Sequence, residues 1–571
     1  MDKLKAILEN INAKNFNKAL DDCNEYIKKN TLNKHIVNNL KGVIHYMKDE
    51  FNLAEKEFLA SHNFDNNYED PIKNLYLVYI KKKDPEKALD IALKLYTINS
   101  LNDLYNYQLA YSYEINNNLS KALDFYQKCI ELNGKNKIKA LNNSGKIYLK
   151  SNKPKISLKY FLDAYNFNKE DKIIINNLLL NYIKLRDVMK SDEFFRLAEN
   201  VDNTFAEFLL NKVEYFILKE KYDEAIDICI NHKIDLRFLI ILIRLYFKMG
   251  KDNEAKDLLE NTRDKFKNNN NFYSYIGLRS LYEGNFQDGW KYYEYRGSKI
   301  NDLLKDVKEW NGENLENKSI VVFSEQGLGD TIQFSRYLLS LIKICNDVNF
   351  VVSNNILNLF KKDKKNLQIE TKENTHKKKY DYKISLGSLI KFFYLDIYNN
   401  NDTLLSKDQI TINKWRVKID DTKPNIGIVW SGSFLGPNEP FRSIPLKSLD
   451  KLLSLDINFY SLQNEIWERD LDYFKKSNLH KFGQYDLAEI ASIIENLDLV
   501  ISVDTSILHL SCSLNKETWG MFNINPDWRW GEFNKINPYP SLKMIKQTKF
   551  NQWEDVVNKM YRELQLKYNL V

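Results

Sequence analysis

The stretch SEQGLGDTIQF, residues 324–334, sets two glycines and an aspartate between a β-branched apolar run and an amphipathic one. Gly327 and Gly329 allow a tight turn and let a bound group come close to the backbone. A dinucleotide fingerprint needs a third glycine at position 332, where Ile332 stands, and a P-loop needs Gly-Lys-Ser/Thr, which this turn lacks. Asp330 closes the turn, and spacing alone gives it two equal readings. It is a helix N-cap, as aspartate often is, or it is a carboxylate facing ligand at the carboxyl edge of a parallel sheet. The five cysteines, Cys23, Cys129, Cys229, Cys345 and Cys512, are scattered and form no CxxC pair. That spacing argues against a zinc cluster or a disulfide framework and fits a reducing compartment.

The elements needed to hold such a turn are legible around it. Short apolar runs at 318–325, 348–353 and 380–386, then at 425–432, 457–463, 498–504 and 517–522, read as buried strands. Helical stretches at 331–344, 446–454 and 486–496 lie between them, and this alternation predicts parallel sheets built of βαβ units. The aperiodic segment 401–424 divides the series, so two Rossmann-like domains flanking a cleft are expected.

The first half is an array. Small residues recur at Ala19, Ala54, Ala88, Ala122, Ser157, Ser191, Ala225, Ala255 and Gly289, at intervals of 34 or 35 residues with one of 30. Phe58, Tyr126, Phe161, Phe195 and Tyr293 follow four residues later, and Gly42, Ala110, Gly145 and Gly277 precede by twelve. The pattern resembles the tetratricopeptide repeat, a 34-residue helix–turn–helix unit in which small residues let paired helices approach. About nine units over residues 1–297 are expected to stack into a superhelix with a concave groove. Fourteen residues before the small position stand Asn74, Gln108, Asn143, Asn177 and Asn211. Five amides in register could hydrogen-bond an extended peptide backbone, and a similar asparagine ladder is known in the O-linked N-acetylglucosamine transferases.

Composition sets the limits. In 571 residues, 43% are hydrophobic and 28% charged, an ordinary globular balance needing several domains. A net charge of +7 on 84 basic and 77 acidic residues gives no argument for nucleic acid. The longest apolar run, residues 238–247, is too short to span a bilayer and contains Arg244. No secretory h-region opens the chain, so a cytoplasmic location is expected.

GWKYYEYR lies at the last repeat, and SEQGLGDTIQFSRYL, WSGSFLGPNEPFRSIPL, SLQ, DLVISVDTSILHLSCSL and NPDWRW stand in this order behind the repeats. Together they resemble the bacterial tetratricopeptide-repeat glycosyltransferases, whose catalytic half is similar to the heptosyltransferases of GT-B fold. The resemblance implies an α + α/β chain with three parts. Residues 1–297 would form the repeat superhelix, 298–415 an acceptor-side Rossmann-like half, and 416–571 a donor-side half. It implies transfer of a sugar from a nucleotide-diphosphate donor, with Asp330 as general base and Glu325 as a second candidate. Gly327 and Gly329 would border the acceptor.

On the donor side the resemblance directs attention to the strand-to-helix turn Asp504-Thr505-Ser506, whose free N–H groups suit a diphosphate. His509, one turn on, would reach a phosphate or ribose. Ser431, Gly432 and Ser433 form a second small turn, Arg442 would neutralise the leaving group, and Gln463 would edge the base. Heptosyltransferases often carry lysine near Arg442, a departure in detail. Trp528, Arg529 and Trp530 read as packing at a domain junction, with a stacking wall as the alternative. The C-terminal amphipathic run, by the same resemblance, would cross back to the other half.

No DxD motif flanked by strands occurs in the transferase half, so metal-independent catalysis without a cofactor is expected. The acceptor would be a protein chosen by the repeats or a lipid-linked or surface saccharide, the repeats then docking a partner protein. A scaffold with an inactive transferase domain is the rival from another class.

Overall fold

The computed structural model describes residues 2–29, 33–267, 269–297, 304, 306–360, 364–375, 378–396, 403–420, 422–433, 436, 439–532 and 538–570. Within them, eighteen helices run from Asp2 to Tyr293, two per repeat. The small positions do what their spacing predicts. Ala54, Ala88, Ala122, Ser157 and Ser191 are wholly buried. A Cβ placed on Gly42 or Gly145 would come within 2.5 Å of the Phe58 or Phe161 ring. The aromatic of each second helix thus fills the hollow left by the glycine of the first, and burying such a ring contributes about 1.5–3 kcal/mol. Helix starts are fixed locally. Asp84, Asn102, Asn118, Asp171 and Asp187 accept first-turn N–H groups through their side chains, each cap worth about 1 kcal/mol.

The chain divides into two compact units, Met1–Tyr215 and Phe216–Val571. The division falls inside the repeat array, so the helices from Tyr222 to Tyr293 belong to the second unit. That unit also holds two sheets. The first contains β1 (Lys308–Glu309), β2 (Ser319–Phe323), β3 (Asp347–Val352), β4 (Leu367–Thr371) and β5 (Tyr382–Ser385), in the order β1-β5-β2-β3-β4. The second contains β6 (Asn425–Val429), β7 (Asn458–Ser461), β8 (His480–Lys481), β9 (Leu499–Val503), β10 (Thr518–Phe522) and β11 (Leu542–Lys546), in the order β11-β10-β9-β6-β7-β8. Every pairing between these strands is parallel. Strands β6, β9 and β10 are buried at every position, which is why they read as unbroken apolar runs.

Strand order reverses at β2, between β3 and β5, and at β6, between β7 and β9. Ligands of open α/β sheets bind in the crevice at such reversals, beyond the carboxyl ends of the strands. The segments after β2, β6, β7 and β9 carry the candidate residues of the transferase half.

Four details depart from the sequence reading. The aperiodic segment contains a helix, Gln409–Arg416, capped by Asp408. The helix expected at 331–344 begins earlier, at Leu328, and is interrupted by a 3-10 turn at Ser335–Tyr337. The expected helix at 446–454 is a 3-10 turn followed by one short helical turn. The C-terminal helix Glu554–Tyr568 stays with the second sheet, where Val556, Val557, Met560 and Leu564 join a core containing Ile428, Met521 and Trp519. Among the described residues no helix is long and apolar enough to cross a membrane.

Candidate active site

Helix Leu328–Phe334 starts at Gly327, so Asp330 is its third residue rather than its cap. The Asp330 carboxylate accepts the Gly327 N–H at 2.9 Å through Oδ2. Its Oδ1 is bound by the Arg529 guanidinium. Gly329 faces helix Ser506–Ser513: a Cβ there would lie 2.8 Å from His509 Cδ2 and 3.4 Å from the Ser506 Cα. This glycine therefore permits contact between the two helices, and that face is not open to an acceptor. Gly327 is exposed and remains available to one.

Two predicted roles are corrected. Glu325 has a side chain only 4% exposed and is held by Arg296, with Nη2 at 2.8 Å and Nε at 3.2 Å. Arg296 also reaches Ser388 Oγ at 2.7 Å, tying the end of the repeat array to the turn after β5. Burial raises the Glu325 pKa, against the pull of Arg296. This carboxyl is a structural anchor, unsuited to be the base. Gln463 spends its amide on backbone: Nε2 donates to Ser431 O at 3.0 Å and Glu465 O at 2.9 Å, and Oε1 accepts from Ser431 N at 3.3 Å. It shapes the turn after β6 and has no N–H left to donate to a nucleobase.

In the second half the predicted residues do converge. Thr505 precedes helix Ser506–Ser513 with its hydroxyl 3.1 Å from Ser502 Oγ and no side-chain cap hydrogen bond, which leaves the first-turn N–H groups as donors. Arg442 donates from Nη1 to the Asp504 carbonyl at 2.7 Å and from Nε to Glu439 at 2.7 Å. Its guanidinium lies against Gly432 and Gly436, where a Cβ would come within 2.5 Å of it, so neither position accepts a side chain without displacing the arginine. Within the small turn, Ser431 and Gly432 are buried and Ser433 is exposed.

His509 is buried, with Nδ1 3.2 Å from the Tyr539 hydroxyl and Nε2 3.9 Å from Asp504. Burial, aided by Arg529, pushes its pKa down to about 4, so the ring is neutral at pH 7.

The NPDWRW motif separates into two jobs. Trp528 packs edge-on against Trp290 and Tyr293, and Trp530 stacks on His509 with centroids 5.3 Å apart. Packing is the role of both tryptophans. Arg529 between them is different: it binds Asp330, Asp527 and, at 2.9 Å, Gln333 Oε1. Burial works against the Asp527 charge, yet Arg529 and Lys248 hold its pKa below the usual carboxylate range. Asp504, by contrast, is pushed up by burial and by Asp527. Sequence reasoning assigned Arg529 only to packing, and it did not assign Asp527 or Lys248. A charge flanked by two tryptophans was the available signal for Arg529; Lys248, one lysine at a helix end, offers none.

The amide register in the first unit also turns inward. Asn74 donates to Asn39 Oδ1 at 2.9 Å, Asn177 to Asn142 Oδ1 at 2.7 Å, and Asn211 to Asn176 O at 3.0 Å. Asn143 donates to the Tyr107 and Tyr126 hydroxyls at 3.2 and 2.9 Å. Gln108 and Asn211 are buried. Four of these amides commit N–H groups to staples within and between repeats.

Residues 461–559 match the family described as glycosyltransferase family 9 (heptosyltransferase), and residues 105–136 match a tetratricopeptide repeat. The chain carries a family 9 glycosyltransferase domain behind tetratricopeptide repeats. The match covers Gln463, Asp504 to His509, Asp527 and Arg529, whereas Asp330 and Arg442 precede it. A curated relative, Protein FlbA of Caulobacter vibrioides, is 18% identical over 314 residues, 48% of this chain and 52% of that one. The chain thus spans about half the length of that relative. Among solved structures, a tetratricopeptide repeat protein from Parabacteroides merdae is 18% identical over 40% of this chain and 93% of that one, with a TM-score of 0.36. Pseudomonas aeruginosa pilF is 15% identical over 36% and 95%, with a TM-score of 0.32.

Proposed function

We propose that this glycosyltransferase works as a GT-B enzyme, moving a sugar from a nucleoside-diphosphate donor onto a hydroxyl held at Asp330, without a metal. The observation that supports this most is one of placement. Asp330, beyond β2 of the first sheet, is bound to Arg529 and packed beside the helix whose first turn, with Arg442, forms the anion-binding corner of the second sheet.

The donor diphosphate lies on the first turn of helix Ser506–Ser513 with Arg442 beside it, where N–H groups and a cation oppose its charge. The acceptor oxygen bonds to the sugar carbon as the carbon–phosphate-oxygen bond breaks. The electron pair leaves with the diphosphate, and the acceptor proton passes to an Asp330 oxygen. Arg529 weakens Asp330 as a base while fixing its direction. The acceptor oxygen becomes acidic as it bonds to an oxocarbenium-like centre, so a weak, well-aimed base suffices. Neutral His509 supplies shape and a hydrogen-bonding nitrogen without adding charge. The repeats bind a protein, either the acceptor or a partner, and the inward amides leave that recognition to other groove residues.

The test is a thermal-shift panel of UDP, GDP, ADP and CDP on the full chain, followed by the matching nucleotide sugars. One nucleoside diphosphate should raise the melting temperature with the logarithm of its concentration. No shift at millimolar levels with folded protein refutes the donor assignment.

A further inference from the structure

Lys248 ends helix Leu236–Lys248 of the repeat array and is only 6% exposed. The loop after β10 is clamped onto this helix and the next. Asn525 Nδ2 donates to Phe247 O at 2.9 Å and to Asp252 at 3.0 Å, and Gly250 abuts Ile524. The clamp places Lys248 on a cavity of about 10 Å³ that Arg442, Asp504, Asn523 and Asp527 also line. That volume suits one oxygen atom. Among the described residues the Lys248 amine makes no hydrogen bond and no ion pair, and burial lowers its pKa against the attraction of Asp527 and Asp504.

An ammonium carries three donors, and burying it without an acceptor is costly. Asp504 and Asp527 balance Lys248 and Arg442 in number only; neither carboxylate takes a hydrogen bond from the amine. The same cavity touches Arg442 and Asp504, the residues that border the first turn of helix Ser506–Ser513. An anion bound at that turn can extend an oxygen into the niche.

We propose that Lys248 is a ligand of the donor diphosphate, so that the repeat array supplies one phosphate-binding cation of the transferase site. The proposal rests on the donor reading above. A phosphate oxygen in the niche accepts a charge-assisted hydrogen bond from Lys248 while Arg442 meets the diphosphate from the other side. As the sugar–oxygen bond breaks, both cations face the charge that gathers on the leaving group.

Lys248→Met and Lys248→Gln keep most of the side chain's length, one atom short, and remove its charge. Each full-length variant is compared with wild type by calorimetric titration with UDP, GDP, ADP and CDP, the monophosphates and inorganic pyrophosphate, and by melting without ligand. The expected result is a nucleoside-diphosphate affinity weakened about 10- to 100-fold, the range for one charged hydrogen bond. Monophosphates should lose less, and the unliganded melting temperature should hold or rise. If wild type binds none of these nucleotides, the donor reading falls and takes this inference with it. If wild type binds and both variants bind within twofold, the donor reading stands and the Lys248 role is overturned. Variants that fail to fold or melt lower without ligand overturn it too, because the amine would then be a structural counter-ion of Asp527.

Discussion

Asp330→Asn separates the base from the helix start. Asparagine keeps an oxygen for the Gly327 N–H, now at 2.9 Å, so the first turn should persist. The charge facing Arg529 is lost, but Arg529 retains Asp527 and Gln333 and is not left bare. Exchanging one charge-assisted hydrogen bond for a neutral one costs about 1–2 kcal/mol, or a few degrees of melting temperature. Turnover should fall far more, by about 10²–10⁴-fold, the range for a positioned base. Nucleotide affinity, set on the other helix, should change little. The assay is initial-rate transfer from the donor found in the nucleotide panel, beside calorimetric nucleotide binding and thermal melting of the same preparations. Glu325→Gln provides the contrast: Arg296 keeps Glu294 and Ser388 and gains a neutral acceptor at 325, so it should destabilise by about 1–2 kcal/mol without a base-like kinetic signature. Near wild-type turnover in Asp330→Asn, or a base-like loss in a fully stable Glu325→Gln, would refute this assignment.

Gly329→Ala should separate the Leu328–Phe334 and Ser506–Ser513 helices, since its Cβ would lie 2.8 Å from His509; overpacking there costs about 1–3 kcal/mol, and an unchanged melting curve would deny the close approach. The His509 pKa falls from 6.5 to about 4 on folding, so the unfolded chain takes up the proton first as pH drops. Its contribution is complete above pH 6.5 and lost down to about pH 4, about 3 kcal/mol by linkage. His509→Phe should flatten the stability profile in that window, read as urea midpoints against pH. Asn177→Ala combined with Asn211→Ala should destabilise the first unit by about 1–3 kcal/mol by removing two inter-repeat hydrogen bonds, as denaturant unfolding of the full chain would show; unchanged stability with weakened peptide binding would restore the ladder.

Periodicity made the core of this fold readable and its edges obscure. Central strands such as β6 and β9 are buried on both faces and announce themselves as apolar runs. Edge strand β11, LKMIK, sets two exposed lysines among half-buried Leu542 and Met544 and buried Ile545, and β1 and β8 have two residues each. The helix Gln409–Arg416 is polar on most faces and buries chiefly Trp415, so no stripe marks it. In the site, residues at strand ends could be named because topology places ligands there. Their partners could not: Asp330 meets Arg529 across 199 positions, and Lys248 meets Arg442 across a similar distance in sequence. Gln463 and the amide register misled because an amide fits a ligand and a backbone equally well, and spacing does not say which is nearer.

The compact unit that begins at Phe216 has a practical consequence for chimeras. A junction near residue 297 follows the change of sequence pattern but would exchange Lys248, the Asn525 clamp and the aromatic bed of Trp528 along with the repeats. A junction between helix Ala206–Leu218 and the helix that starts at Tyr222, just past the boundary at Tyr215–Phe216, keeps them with the transferase without cutting a helix. Grafted arrays should therefore express and retain nucleotide binding when joined upstream, and lose both when joined downstream, so the exchangeable cassette is shorter than the repeat pattern suggests.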